Sequence, residues 1–182
     1  MDKLPKRKLN RVQGYNYSRN GAYFVTICAD KHKYIFGDIS VSDDNAVGAI
    51  HESPVTELSA YGKIVDSYIN ILPDRFKIYI DNYVIMPNHV HLLITIDDDN
   101  PENRYERAIR ESPLQSRSTL SKVVGYLKMN ISKEIHKINP QINVWQRSYY
   151  EHIIRNEKDF FVHYEYIENN PIKWETDDYF IR

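Results

Sequence analysis

The chain of 182 residues carries 24 Lys and Arg against 25 Asp and Glu, a net charge of −1, with 42% hydrophobic residues, 15 Tyr, 6 Phe and one Cys. That length and apolar content suit a single domain with its own core, and a lone Cys28 excludes a disulfide framework and every multi-cysteine zinc pattern. No run approaches the roughly 18 apolar residues of a membrane span, and residues 1–8 are too basic for a signal peptide, so a cytoplasmic protein without a membrane partner is expected.

Charge is unevenly placed. Residues 1–20 hold six basic residues against Asp2 alone, a local net of +5, and 104–137 hold eight against three Glu, again +5. Between them, 38–60 carries five acids and no Lys or Arg, and Asp97, Asp98 and Asp99 add an acidic cluster. The basic segments read either as solvated surface or as a nucleic-acid footprint.

In chain order, 23–29 is rich in β-branched and aromatic residues after the Asn20-Gly21 turn signal, and reads as a strand. Residues 37–55 are polar and short-patterned, an irregular or hairpin insertion. Leu58, Tyr61, Ile64, Val65, Tyr68 and Leu72 recur at three- and four-residue steps, predicting a helix that stops before Pro73. Residues 76–86 read as a strand, Pro87-Asn88 as a turn and 89–96 as the hairpin partner. The stretch 97–113 is loop-like. Leu120, Val123, Val124, Leu127, Ile131, Ile135 and Ile138 hold helical period, with Ser118 as N-cap. Residues 144–154 predict a fourth strand, and Asn156 caps a last helix that must end near Pro171. The order β-α-β-β-α-β plus a terminal helix is that of a ferredoxin-like α+β sandwich, an antiparallel sheet with helices on one face.

Two features carry chemistry. Strand alternation puts His89 and His91 on one face, where two neutral imidazoles can share a divalent cation. By itself this is a half-site: His32, His51, His136, His152 and His163 are all available as further ligands, and sequence does not choose among them. On the last helix Tyr166 and Asn170 lie four apart and share a face, with His163 a turn earlier, whereas Tyr164 steps with Phe160 and Ile167 toward the core.

These residues carry a resemblance. The stretch 83–94, YVIMPNHVHLLI, resembles the His-hydrophobe-His core of the single-tyrosine HUH transposases. Residues 144–157, VWQRSYYEHIIRNE, and 166–174, YIENNPIKW, are similar to that family's C-terminal half, and 14–18 with 21–28 to its opening. The similarity spans nearly the whole chain and is closest to the REP-associated tyrosine transposases. It implies one HUH domain over 1–182, with a basic arm at 1–20 and an insertion around 37–55.

The resemblance further implies nicking and rejoining of single-stranded DNA beside hairpins through a 5′-phosphotyrosine. By motif position the nucleophile is Tyr166, and the metal ligands are His89, His91 and Asn170, with Mg or Mn as the ion that suits an amide oxygen, waters and phosphate. His152 is a further catalytic candidate. Arg7, Lys8, Arg11, Lys122 and Lys128 are candidates for phosphate contacts, and Tyr149 and Tyr150 for base stacking. A monomer or a homodimer is compatible with this reading, as is a nucleoid-associated location. Two alternatives stay open: a domesticated hairpin-binding protein without cleavage, and a zinc hydrolase built on the same His pair.

Overall fold

The computed structural model describes residues 20–40, 55–97 and 118–180. Arg7, Lys8, Arg11 and most of the basic arm lie outside the described residues, as does the middle of the 37–55 insertion.

Strand β1 (Gly21–Cys28) forms where expected and continues through the 3-10 turn at Asp30–His32. The two feet of the insertion are β2 (Gly37–Ser40) and β3 (Val55–Leu58), paired antiparallel in a small separate sheet. Helix α1 spans Ala60–Phe76. Leu58, expected in that helix, belongs instead to β3, because the Ser59 hydroxyl caps the helix by accepting from the N–H groups of Tyr61 and Gly62. At its other end the helix runs past Pro73 for one more turn; the proline removes one backbone donor late in the helix, which packing of Leu72 and Phe76 against the core outweighs. Lys77, in a left-handed conformation with φ 52°, then turns the chain.

Strands β4 (Ile78–Ile85) and β5 (His89–Ile96) form the predicted hairpin. Helix α2 (Thr119–Ile138) is capped by Ser118 as its sequence requires. Strand β6 is only Tyr150–Ile153, shorter than the predicted 144–154; before it, Trp145 makes just an isolated bridge to Ala29. Helix α3 (Glu157–Asn169) starts at the Asn156 cap.

The main sheet has order β4-β5-β1-β6 with every described pair antiparallel, the ferredoxin-like arrangement. One face, formed by Tyr23, Val25, Ile27, Val90, Leu92, Ile94 and Ile96, packs on α1 and α2 to make the core. Helix α3 lies on the other face, over β4 and β5, where Phe24, Thr26, His89 and His91 point. A bulge at Asp81 shifts the phase of β4 between Ile80 and Asn82. Ile78 and Ile80 therefore face the core before it and Tyr83 and Ile85 after it, while Asn82 turns to the α3 side and donates to Glu168 at 2.7 Å.

Helix α1 approaches the segment after β1 so closely that a Cβ on Gly62 would lie 2.0 Å from the Phe36 carbonyl oxygen. Backbone on both sides leaves no flexible group to yield. Gly62→Ala is expected to destabilise the fold by about 1–3 kcal/mol despite alanine's better helix propensity, read as a lowered midpoint of thermal unfolding; an unchanged or raised midpoint would mean that the helix start can slide away.

Candidate active site

Register delivers the site. On β5, His89 pairs with Cys28 and His91 with Thr26 of β1, so both imidazoles rise from the sheet centre beneath α3. Both are fully buried, and their Nε2 atoms stand 2.9 Å apart. Two donors each about 2.1 Å from one ion and at right angles would be about 3.0 Å apart, so this separation matches neighbouring ligands of one cation.

Their outer nitrogens are held. Asn88 Nδ2 donates to the carbonyls of Tyr179 (2.7 Å) and His32 (3.3 Å), which orients its Oδ1 to accept from His89 Nδ1 at 2.8 Å. His89 therefore carries its proton on Nδ1 and directs the Nε2 lone pair inward. That lone pair accepts from His91 Nε2, which leaves His91 Nδ1 to accept from the Thr26 hydroxyl at 2.8 Å. For His91 to offer Nε2 to an ion, its proton moves to Nδ1 and the Thr26 hydroxyl rotates from donor to acceptor. Burial keeps both rings neutral: His89 is lowered to about 4, partly countered by the Asp177 carboxylate, and His91 is lowered well below its usual value by burial and by its neighbours His89 and His163.

Helix α3 brings the tyrosine of the same chain to this pair. The Tyr166 ring lies edge-on to His91 with centroids 5.2 Å apart, and Phe24 fills the angle between them, stacked on His91 at 5.0 Å. Asn170, 1% exposed, follows one turn later. Its Nδ2 donates to Asp177 Oδ2 at 3.0 Å, while its buried Oδ1 has no hydrogen-bond partner among the described residues. A buried amide oxygen without a hydrogen-bond partner, in the neighbourhood of His89, is an oxygen ligand available to a cation. The donor set of two neutral imidazoles and an amide oxygen thus fits a metal ion.

Sequence reasoning missed the residue that joins these parts. After α3 the chain makes a 3-10 turn at Trp174–Thr176 and places Asp177 back over the pair. Asp177 Oδ2 accepts from both Tyr166 Oη and Asn170 Nδ2 at 3.0 Å, and Oδ1 accepts from the Tyr179 backbone N–H at 2.7 Å. Asp177 groups with His89 and His91, with ligand atoms all within 4.8 Å of one another. No spacing rule could have found it, since the contact depends on how the last turn folds back. Tyr179, its ring 4.6 Å from that of His89, was missed for the same reason. Burial, then repulsion by Asp177, pushes the Tyr166 phenol well above its usual range.

The other predicted residues are distributed more widely. His152 sits on the exposed edge, its Nε2 3.0 Å from the Asp159 carboxylate and its ring stacked on His163 at 4.6 Å; it does not contact Tyr166. This clasp ties β6 to the first turn of α3, and hydrogen bonds from Arg155 N–H and His152 hold Asp159 below the usual carboxylate range. Tyr150 is exposed and pairs with Thr26, on the site side of the sheet, whereas Tyr149 packs against the core. Lys122 is exposed on α2, in the opposite layer. Lys128 donates to the carbonyls of Gln146 and Ser148 and so ties down the approach to β6; burial lowers its ammonium.

Cys28 is buried beside His89, its cross-strand partner, and burial, opposed by Lys128 and aided by the Asp177 charge, raises its thiol from 9.0 to about 12. The folded state thus favours the thiol: its stabilising contribution is full below pH 9 and is lost as pH rises toward about 12. At pH 8.5 native Cys28 is expected to alkylate at least about 100-fold more slowly than in denaturant. Rapid native labelling by iodoacetamide, followed by mass spectrometry, would show that this side of the site opens.

A ferredoxin-like antiparallel sheet with a His-hydrophobe-His strand at its centre and a tyrosine helix across that face defines an HUH-type transposase fold. No family model matches the chain. An uncharacterised protein of Haemophilus influenzae is 34% identical over 180 residues, 96% of this chain and 93% of that one. A second H. influenzae protein, provisionally named a REP-associated tyrosine transposase, is 29% identical over 135 residues, 57% of this chain and 67% of that one. The REP-associated tyrosine transposase of Escherichia coli K12 is 27% identical over 115 residues, 62% of this chain and 55% of that one. A solved REP-associated tyrosine transposase bound to a REP hairpin superposes with a TM-score of 0.48 at 19% identity, over 96% of this chain and 74% of that one. The chain is thus similar in sequence to the REP-associated tyrosine transposases. Among the described residues no helix is long and apolar enough to cross a membrane.

Proposed function

We propose that this protein nicks and rejoins single-stranded DNA beside REP-like hairpins, with Tyr166 as nucleophile and His89, His91 and Asn170 as ligands of a Mg or Mn ion. The observation that carries this reading is the meeting of Tyr166 and the inward-facing His pair within one chain. A monomer can therefore hold a complete site, whatever its assembly.

Bound there, the ion supplies a Lewis acid for a non-bridging phosphate oxygen, polarising phosphorus and neutralising charge in the transition state. The protein does the rest. Tyr166 Oη forms a bond to phosphorus as the bond to the 3′ oxygen breaks, and the phenolic proton passes to Asp177, its hydrogen-bond acceptor at 3.0 Å. The 3′ oxygen leaves as an alcohol with a proton from solvent. The reverse attack by a 3′ hydroxyl rejoins DNA without ATP, because the phosphotyrosyl bond keeps the energy of the phosphodiester. Phe24 and His91 hold the Tyr166 ring, and the His152–Asp159 clasp serves as a positioning contact for α3. Tyr150 offers an aromatic face for an unpaired base, and Lys122, Lys128, Tyr149 and the arm residues remain candidates for DNA contact.

The test incubates the protein with Mn and single-stranded oligonucleotides carrying hairpins, and looks for a covalent adduct that survives denaturing electrophoresis. A second reading, a hairpin-binding protein that does not cut, is favoured by the complete burial of His89 and His91. Tight hairpin binding with no adduct under Mg or Mn would select it.

A further inference from the structure

Two imidazoles and an amide oxygen carry no charge, yet hard divalent ions such as Mg and Mn are ordinarily bound through at least one carboxylate. Among the described residues the carboxylate grouped with His89 and His91 is that of Asp177. It is not a free surface acid: its two oxygens accept from Tyr166 Oη, Asn170 Nδ2 and Tyr179 N–H, so it is held in one orientation next to the orphaned Asn170 Oδ1. We propose that Asp177 is the anionic ligand of this metal centre and joins the ion to the nucleophile, one carboxylate oxygen serving the ion and the other the Tyr166 hydroxyl.

The proposal deepens the metal-dependent reading above and rests on it for the His pair. It makes ion binding and tyrosine placement a single event, because one side chain serves both. It also gives the last turn of the protein a chemical task, since Trp174, buried against the site, and the Tyr179 N–H fix where Asp177 stands.

The test uses full-length protein without DNA, titrated with Mn(II) and followed by electron paramagnetic resonance of the free ion. Asp177→Asn keeps the side-chain size and one acceptor oxygen, and is expected to weaken Mn binding at least 30-fold. Asp177→Glu, which keeps the charge, is expected to stay within 10-fold of wild type, so loss of charge is separated from misfolding. Tyr166→Phe is expected to bind Mn within 3-fold of wild type. Asp177→Asn within 3-fold of wild type, Asp177→Glu as weak as Asp177→Asn, or no Mn binding by wild type would each overturn the proposal. Absence of any Tyr166 adduct would instead sink the strand-transfer reading and leave Asp177 as a metal ligand untouched.

Discussion

Tyr166→Phe is expected to abolish the covalent protein–DNA adduct, a loss of at least about 1000-fold of the kind seen when a nucleophile is removed. The substitution deletes one oxygen and keeps the ring, so the contacts with Phe24 and His91 persist. What the folded protein loses is the hydrogen bond to Asp177, a carboxylate that retains Asn170 and the Tyr179 N–H as donors. The cost in stability is therefore about 1 kcal/mol or less, and a thermal melt close to wild type separates lost chemistry from lost structure. The neighbouring phenol makes the experiment informative either way. Tyr179 also lies beside the His pair, its ring packed on His89, and burial raises its phenol as it does that of Tyr166. Adduct formation at wild-type level in Tyr166→Phe would transfer the nucleophile's role to another residue, with Tyr179→Phe as the next variant.

His91→Ala is the second large effect. It removes one of two Nε2 donors 2.9 Å apart and the ring on which Phe24 and Tyr166 rest. Changes to residues that merely orient a metal ligand cost 10- to 100-fold in affinity, so loss of the ligand itself should exceed about 100-fold in Mn binding and remove the adduct. Asn88→Ala supplies the graded comparison. It leaves both imidazoles but frees His89 to turn or change tautomer, and a drop of about 10- to 100-fold is expected by the same titration. Equal Mn affinity in His91→Ala and wild type would place the ion elsewhere.

The contrast between these residues reflects what a sequence can carry. Hydrophobic period and capping residues act locally, so the starts of α2 and α3 and the whole of β5 were legible in residues a few positions apart. Alternation alone aligned His89 with His91, and helical spacing alone aligned Tyr166 with Asn170. Local signals misled where packing competes with propensity: Pro73 did not end α1, since the core still rewards its last turn, and Leu58 went to a β-strand because Ser59 captured the helix start. The strand predicted over 144–154 was cut to four residues, as Lys128 binds the carbonyls of Gln146 and Ser148 that a longer strand would have offered to a ladder.

Phe24, Thr26 and Asp177 could not be assigned from sequence. The first two join the site because β1 pairs with β5 in a register that sets Thr26 opposite His91, across 65 positions of chain. Asp177 enters because a short turn after α3 reverses the chain onto the sheet. The sequence by itself determined the element order and the alignment of two residue pairs, His89 with His91 and Tyr166 with Asn170, all encoded within single helices and strands. Tertiary structure alone decided that both pairs meet in one chain, which partner each imidazole nitrogen finds and which carboxylate lies against both the His pair and the tyrosine. Those properties depend on distances between segments far apart along the chain, and such distances exist only once the sheet has paired and α3 has packed across it.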